Sequence, residues 1–250
     1  MALSISLTGI TKAFQDKEVL KGVNLEVPSS QSTVLIGPSA AGKSVLVRCI
    51  LGLLQPDTGE IRIDGRPVPN GAQEPERIGV LFQQNALFDS MTVWENVAFR
   101  LINNLRVSHR VARDEAIACL ADVGLTTEIA MLHPVQLSGG MQKRAALARA
   151  MVSDPDLLIL DDPTAGLDPI MSNTILNLIE TKVERSGATV LAVMGDMKSA
   201  RTRFERVAML HDGQICWQGK SSDAADATDP YLRQMIEGKA KGPIEMQLRD

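Results

Sequence analysis

The chain of 250 residues has few cysteines, no long apolar run and no excess of basic residues. Cys49, Cys119 and Cys216 are odd in number and widely spaced, which excludes a disulfide framework and a cysteine-based metal cluster. The net charge of −4 argues against a protein whose main task is to bind nucleic-acid phosphates. These shortages indicate a globular protein with reduced thiols and no nucleic-acid partner.

The chain also lacks the sequence features of a segment that enters a membrane. Its first residues, MALSISLTGITKAF, have no basic start followed by an apolar stretch, so we expect no signal peptide. No stretch approaches the ~18–20 uninterrupted apolar residues that span a bilayer. If the protein serves a membrane, we expect it to do so from the cytosolic side, through a partner that spans.

The spacing of apolar residues predicts an α/β fold. Residues 3–27 alternate apolar and polar side chains, which is typical of half-exposed antiparallel strands. Continuous apolar runs at 33–36, 157–160 and 189–193 instead predict strands that are buried on both faces of a parallel sheet. The Asp212-Gly213 pair predicts a hairpin turn between two later strands.

A helical segment interrupts this α/β pattern. From residue 92 to about 153 the spacing is helical, with Ser108 as a predicted N-cap and Gly124 as the end of that helix. We therefore predict one domain over residues 1–238 with a helical insertion, followed by a tail over 239–250.

The most specific motif is a glycine-rich loop between a predicted buried strand and a helix. Residues 37–44 read Gly-Pro-Ser-Ala-Ala-Gly-Lys-Ser and fit the pattern G-x-x-x-x-G-K-[ST] in full. In such loops backbone N–H groups surround phosphate oxygens, the lysine reaches the β- and γ-phosphates, and the serine hydroxyl binds Mg²⁺. The predicted nucleotide-binding residues here are Gly37, Pro38, Ser39, Ala40, Ala41, Gly42, Lys43, Ser44 and Val45.

Two carboxylates follow the predicted strand at 157–160. Asp161 would come at the carboxyl end of that strand, where open α/β sheets bind ligands, and would hold the magnesium ion. Asp162 would polarise an attacking water. Alone, the pair could simply cap the following helix. Together with the phosphate loop, it predicts an ATPase that uses ATP and Mg²⁺.

A second anion-binding pattern precedes another predicted helix. The sequence Leu137-Ser-Gly-Gly-Met places the Ser138 hydroxyl and the Gly139 and Gly140 amides at a helix N-terminus. A single domain has no use for two phosphate-binding helix ends unless the second serves a neighbouring molecule's nucleotide. The motif therefore predicts a dimer of two copies with the nucleotides between them.

These motifs, in this order, resemble those of the ATP-binding cassette (ABC) transporter ATPases over essentially the whole chain. The resemblance implies a P-loop core sheet with an N-terminal antiparallel β-subdomain and a helical insertion subdomain. It also implies that Phe14 stacks on adenine, although that residue could instead anchor the N-terminal hairpin. Gln83 would contact magnesium, nucleotide and the permease-facing helical region, and Asp168 would lie in a loop that communicates between the two sites. The catalytic set is then Lys43, Gln83, Asp162 and Asp168, and the metal set is Ser44, Gln83 and Asp161.

Within that family, four stretches and the tail resemble the Mla-type (MlaF-like) subunits of bacterial phospholipid trafficking. The stretches are 43–45, 81–88, 137–141 and 168–170. The resemblance implies a peripheral protein at the cytoplasmic face of the bacterial inner membrane. Its partners would be integral-membrane permease subunits, a lipid-binding substrate subunit and a small regulatory subunit.

Other cargoes and other roles are also open. A small-solute importer is the alternative, because the cargo contacts lie in other subunits and the residues of this chain do not distinguish the two. A cassette protein of translation or DNA repair is disfavoured, since those chains usually carry two cassettes or long coiled-coil insertions.

Three positions depart from the family pattern. Asp162 stands where glutamate is usual, and a misplaced general base can lose about 10²-fold in rate. Gly195 stands where a histidine usually contacts the γ-phosphate, and Ala40 replaces a glycine, which costs about 1 kcal/mol or more if that position needs φ > 0. Our hypothesis is a protein that binds Mg-ATP and pairs normally but hydrolyses slowly. The alternative is an ATP-gated dimerisation module with vestigial hydrolysis.

The basic residues that follow the second anion-binding pattern carry no predicted function. Lys143, Arg144 and Arg149 are expected to form a solvated face or to help hold the helix that carries them.

Overall fold

The computed structural model describes residues 2–68 and 77–244. Within that part of the chain the strands are, in order, β1 (Ile5–Phe14), β2 (Lys17–Val27), β3 (Ser32–Ile36), β4 (Thr58–Ile63), β5 (Arg66–Pro67), β6 (Ile78–Leu81), β7 (Leu157–Asp161), β8 (Thr189–Val193), β9 (Arg206–His211) and β10 (Gln214–Lys220).

The helices of the same residues are α1 (Lys43–Ile50), α2 (Val93–Asn103), α3 (His109–Asp122), α4 (Thr127–Ala130), α5 (Gly139–Met151), α6 (Pro169–Ser186), α7 (Met197–Arg203) and α8 (Pro230–Glu237). Short 3-10 helices lie at Pro134–Gln136 and Asp223–Ala225.

The chain divides into two compact units. The terminal unit comprises Leu3–Gln73 and Leu191–Asp250, and the central unit comprises Glu74–Val190 with the first two residues. The division falls inside β8, so that strand contributes residues to both units.

The terminal unit contains an antiparallel sheet with the strand order β2-β1-β4-β5. In it, Ile5 of β1 pairs with Val27 of β2 on one side and with Ile63 of β4 on the other, and buried and exposed side chains alternate along β2. This confirms the N-terminal antiparallel strands. A second group of strands, β10-β9-β3-β8, contains the parallel pair β3 and β9 and the antiparallel hairpin of β9 with β10.

The predicted hairpin turn lies between β9 and β10. Asp212 and Gly213 both have positive φ, of 44° and 75°, as the two-residue turn that suits twisted strands requires. A Cβ on Gly213 would lie 2.6 Å from the carbonyl oxygen of Val19, so this position admits only glycine without a shift of the backbone.

The central unit combines parallel strands with the helical insertion. β6 pairs with β7 in parallel, from Ile78 opposite Leu157 to Leu81 opposite Leu160. Every residue of β7 is buried, which confirms the expectation from its apolar run. α2, α3 and α5 pack against one another, and α5 also contacts β6. Ser108 is the N-cap of α3, and Gly124, with φ of 71°, follows its end as predicted.

The end of the described chain folds back on α8. Gln234 is buried, its amide nitrogen donates to the carbonyl oxygens of Lys239 and Ile244, and its amide oxygen accepts from the Ile244 N–H at 2.7 Å. The first half of the predicted tail is therefore held by side-chain hydrogen bonds. Residues 245–250 of that tail, and residues 69–76 between β5 and β6, lie outside the described residues.

The structure also bears on the predicted absence of a spanning segment. None of the helices in residues 2–68 and 77–244 has the length and apolar character needed to cross a bilayer.

Candidate functional site

The glycine-rich loop joins β3 to α1 in the terminal unit, between a buried strand and a helix as predicted. Gly37 has φ of 148°, and a Cβ there would lie 2.0 Å from the carbonyl oxygen of Leu210 in β9. Gly42 has φ of 104° and caps α1, with the side chain of Leu20 2.9 Å from the position of a Cβ. Gly37 is required because a Cβ would collide with a backbone oxygen, and Gly42 because its φ lies in a region that side chains rarely adopt. The backbone can therefore turn tightly at both ends of the loop.

Lys43 ties the two ends of this loop together. It is the first residue of α1, and its ammonium donates to the carbonyl oxygens of Gly37 and Pro38, each at 2.8 Å. The charged end of the side chain thus lies on the loop side of the helix N-terminus. Phosphate oxygens bound at that N-terminus would have this cation within reach.

The structure answers the question raised by Ala40. Its φ is 63°, in the left-handed region that favours glycine. The usual glycine would adopt this conformation freely, whereas a Cβ in the left-handed region costs about 1–2 kcal/mol. Ser39 and Ala40 are exposed at the tip of the loop, whereas Ala41 is buried.

The other predicted nucleotide contacts of this unit flank the loop. Ser44 and Val45 are half-buried in the first turn of α1. Phe14 ends β1 with 45% of its surface exposed, and the Lys12 ammonium lies 5.8 Å from its ring centroid. This exposure does not match a hydrophobic anchor of the hairpin. The ring has free surface on which a planar base could stack.

Asp161 and Asp162 lie at the carboxyl end of β7 in the central unit. Asp161 is the last residue of the strand and is 7% exposed, whereas Asp162 is half-buried. Asp162 has φ of 56° and precedes Pro163, although a residue before proline normally prefers extended backbone. Such a conformation costs about 1–3 kcal/mol and persists only where the surroundings fix it.

A buried lysine contacts the backbone of this strained segment. Lys143 of α5 is 6% exposed, and its ammonium donates to the carbonyl oxygens of Asp162 at 2.9 Å and Ala165 at 2.7 Å. Burial lowers the pKa of Lys143 below its ordinary value, while the charges of Asp162 and Asp161 act in the opposite direction. Of the two expectations for this residue, the solvated face is wrong because its charge is buried against carbonyl oxygens, whereas a role in holding its helix is confirmed by these two hydrogen bonds.

The second anion-binding pattern begins α5. Ser138 is the N-cap, and its hydroxyl accepts from the Met141 N–H at 3.3 Å. Ser138 and Gly139 are exposed, and the Cβ position of Gly139 has no atom within 4 Å. Gly140 is closer to its surroundings, since a Cβ there would lie 3.2 Å from the Leu167 side chain. The motif thus presents an open helix N-terminus, as its sequence predicted.

Gln83 is exposed in a turn after β6, and two side chains hold the segment that follows it. Arg149 of α5 donates to the carbonyl oxygens of Asn85 and Ala86, at 2.8 and 2.6 Å. Asn96 of α2 is fully buried and bonds both the N–H and the carbonyl oxygen of Phe88. The loop that carries Gln83 is therefore fixed by residues to which sequence reasoning gave no role.

Two further predicted positions lie at helix starts. Asp168 is the N-cap of α6, where its carboxylate accepts from the N–H groups of Ile170 and Met171, both at 2.9 Å. Gly195 follows β8 and precedes Asp196, the N-cap of α7. A Cβ on Gly195 would meet no atom within 4 Å, so a larger side chain has space at that position.

Within each unit, the structure brings together part of the predicted set. In the terminal unit the Lys43 ammonium links the end of the loop at 37–45 to its beginning, through hydrogen bonds to the carbonyls of Gly37 and Pro38. In the central unit Lys143 joins the helix that starts at Ser138 to the segment 162–165. Each unit therefore holds one group of the predicted residues.

The residues also suit the predicted metal. Mg²⁺ is usually held by one or two carboxylates together with the phosphates of its substrate, and it prefers oxygen donors. Asp161 and Ser44 supply such donors. No cluster of three or more His, Cys, Asp or Glu side chains able to hold a metal occurs in the described residues.

Sequence reasoning missed Lys143, Arg149 and Asn96. One signal could have found Lys143: it shares the buried surface of α5 with Ala146 and Leu147. A charge on a buried surface requires polar partners, and the nearest helix ends and strand ends supply carbonyl oxygens. Nothing in the sequence shows which loop each cation contacts.

Comparison with known proteins gives consistent matches. A family model described as ABC transporter matches residues 20–165. The probable ribonucleotide transport ATP-binding protein mkl of Mycobacterium tuberculosis is 37% identical over 98% of this chain and 70% of that protein. The intermembrane phospholipid transport system ATP-binding protein MlaF of Escherichia coli is 35% identical over 90% of this chain and 86% of that protein.

A solved structure extends the likeness to three dimensions. It is the dimeric ATP-binding cassette MJ0796 in a post-hydrolysis state bound to ADP and Pi, with 33% identity and a TM-score of 0.81. The match covers 87% of this chain and 98% of that one.

The left-handed backbone at Ala40 leads to a prediction about stability. We expect Ala40→Gly to raise the free energy of unfolding by about 0.5–1 kcal/mol, because relief of strain exceeds the added entropy of the unfolded chain. The matched control is Ala41→Gly, one residue on, where φ is not positive. That change should lower the same quantity by about 0.5–1 kcal/mol. Urea denaturation of both variants measures the two effects, and shifts of the same sign would contradict the assignment.

Proposed function

The chain belongs to the ABC transporter family, whose ATPase fold it shares, and we propose on that premise that it binds Mg-ATP between two copies of itself and hydrolyses it to energise a membrane transporter. The observation that carries the proposal is the complete phosphate loop at 37–44, held around the N-terminus of α1 by Lys43. Its positive-φ positions at Gly37, Ala40 and Gly42 give the alternating backbone that forms anion-binding nests.

In this proposal the terminal unit binds the nucleotide. The loop amides and Lys43 bind the phosphates, and Phe14 stacks on the adenine. Ser44 and Asp161 would hold Mg²⁺, which when bound neutralises charge on the phosphates. Gln83 would contact the same ion and the nucleotide.

The central unit supplies the hydrolytic group and the contact to the second copy. Asp162 would orient the attacking water and accept its proton. Ser138, Gly139 and Gly140 would bind the nucleotide of the other copy, since their helix N-terminus is exposed. Asp168 would mark the loop through which the two nucleotide sites communicate.

We further propose that hydrolysis is slow. Two features of the sequence support this: Asp162 has a shorter side chain than the usual glutamate, and Gly195 offers no side-chain donor where the family usually has a histidine that contacts the γ-phosphate. The left-handed backbone at 162 favours aspartate, which tolerates φ > 0 better than longer side chains do. An ATP-gated module with vestigial hydrolysis is the second candidate, supported by the same two residues.

For the cargo, we propose phospholipid trafficking between bacterial membranes. The likeness to the MlaF protein and the motif stretches at 43–45, 81–88 and 168–170 support it. The chain would then act at the cytoplasmic face of the inner membrane with permease, lipid-binding and small regulatory subunits. A small-solute transporter is the competing candidate, supported by the ribonucleotide transport name of a relative with similar identity.

The first test concerns the rate of hydrolysis. We expect Asp162→Glu combined with Gly195→His to raise the steady-state ATPase rate of the assembled complex by about 10–100-fold, because the general base gains reach and the γ-phosphate gains a donor. The Cβ of the new side chain at 195 would meet no atom within 4 Å. Asp162→Asn is the matched control: it keeps the size of the side chain, removes the base and should lower the rate. No gain in the double variant would refute the slow-hydrolysis proposal.

The second test concerns the cargo. Purification of the tagged chain from membranes of its own organism should recover a spanning permease and a lipid-binding subunit, and mass spectrometry should detect co-purified phospholipid. Lys43→Ala should retain these partners, because its change lies in the phosphate loop. Recovery of a permease with a small-solute receptor and no phospholipid would instead support the importer.

A further inference from the structure

Lys143 has no place in the function proposed above, yet its environment is unusual. Its side chain is buried in α5, and burial of an ammonium is unfavourable unless polar groups surround it. Here the two carbonyl oxygens, of Asp162 and Ala165, lie at 2.9 and 2.7 Å. Both belong to the turn that follows β7. The lysine therefore contacts the backbone beside the proposed catalytic carboxylate.

The carbonyl of Asp162 has two donors. Besides Lys143, the N–H of Ala165 donates to it at 3.3 Å and closes the turn. The same residue has the strained φ of 56° before Pro163. A strained conformation needs surroundings that hold it, and a buried cation on its own carbonyl oxygen is such a restraint. Because φ of a residue sets the direction of its Cα–Cβ bond, this restraint also sets the direction of the Asp162 side chain.

The same helix carries the exposed anion-binding end. Ser138 caps α5, and Gly140 in the first turn approaches the Leu167 side chain of the turn after Asp162. Lys143 lies about one turn further along the helix, given a rise of about 1.5 Å per residue. The start of α5 and the turn 162–167 are thus packed together at two points within the central unit.

From these contacts we infer that Lys143 is a positioning residue: it holds the backbone of Asp162 so that the carboxylate is directed at the attacking water. The inference rests on the proposed function, because it gives Lys143 an effect only through Asp162. Lys143 itself touches neither the nucleotide nor the water in this assignment. Its removal should therefore slow the chemical step and leave nucleotide binding unchanged.

Lys143→Met tests this directly, because it keeps an unbranched side chain and removes the charge. In the assembled complex we expect kcat for ATP to fall by about 10–100-fold, with KM and the Kd for ATP changed by less than about twofold. In an Asp162→Ala background, adding Lys143→Met should change the residual rate by less than about twofold, since the group that it positions is gone. A merely structural lysine would reduce the rate by the same factor in both backgrounds.

Arg144→Met provides the matched control. Arg144 is the next residue of α5 and also donates to backbone carbonyls, those of Val123 and Gly124 at 3.2 and 2.9 Å. Its loss removes an equivalent set of hydrogen bonds from a different turn. We expect the ATPase rate of this variant to stay within about twofold of the unsubstituted chain.

Hydrogen exchange gives a readout that does not depend on activity. Lys143→Met should speed amide exchange at residues 162–167 by about tenfold or more and leave residues 123–125 unchanged, whereas Arg144→Met should do the reverse. If Lys143→Met does not fold, Lys143→Arg replaces it, with a smaller rate loss and the same non-additivity with Asp162→Ala.

The outcomes separate the two proposals. Unchanged kcat in Lys143→Met, or equal losses with and without Asp162, overturns the positioning role while the ATPase assignment stands. An unsubstituted complex that hydrolyses no ATP overturns the ATPase assignment. In that case the exchange experiment still decides whether Lys143 holds the turn, and unchanged exchange at 162–167 would show that it does not.

Discussion

The central unit depends on hydrogen bonds from cationic side chains of one helix to backbone carbonyls, and one of these side chains, Lys143, is buried. Three residues of α5 each contact a different loop: Lys143 the turn after Asp162, Arg144 the turn after α3, and Arg149 the loop after Gln83. Carbonyl oxygens at strand and helix ends need donors when water is excluded, and a cation supplies several at once. Because α5 begins at Ser138, these contacts fix the position of Ser138 relative to the turn after Asp162 and the loop after Gln83.

The terminal unit shapes its phosphate loop through backbone geometry. Its phosphate loop must turn tightly beside β9 and present amides at the start of α1, and it does so through glycines that a Cβ would crowd. Ala40 is the exception in this loop, since it adopts a left-handed conformation although it has a side chain. The two units therefore hold their functional groups by distinct means: the terminal unit by glycine and one lysine, and the central unit by cationic side chains that donate to backbone carbonyls.

The sequence predicted the elements that follow directly from local pattern. The buried strands β3, β7 and β8, the hairpin at Asp212 and the start of α5 at Ser138 all have signals that span only a few residues. The short helix α7 is not predicted from the sequence, although its N-cap, Asp196, is a residue type that often begins helices. The conformation of Ala40 could be stated only as two alternatives, since the phosphate-loop pattern does not determine φ at that position.

The candidate site was predictable as a set of motifs but not as a set of contacts. Lys43, Asp161 and Ser138 are identified by residue type and order, whereas the partners of Lys143 and Arg149 lie far from them along the chain. The strain at Asp162 likewise cannot be predicted from the sequence, because a residue before proline, here Pro163, is expected to have extended backbone. These features arise from tertiary packing, and our proposals give the contact of Lys143 and the strain at Asp162 a part in setting the rate of hydrolysis.

The central claim is that two copies enclose the nucleotide through Ser138. Light scattering of the purified chain tests it most directly, with molar mass measured with and without Mg-ATP. The account predicts one chain of 27.0 kDa without nucleotide and twice that mass with it, and it predicts that Ser138→Arg binds ATP but remains a single chain. A purified chain that binds Mg-ATP tightly but keeps the mass of one copy would contradict it.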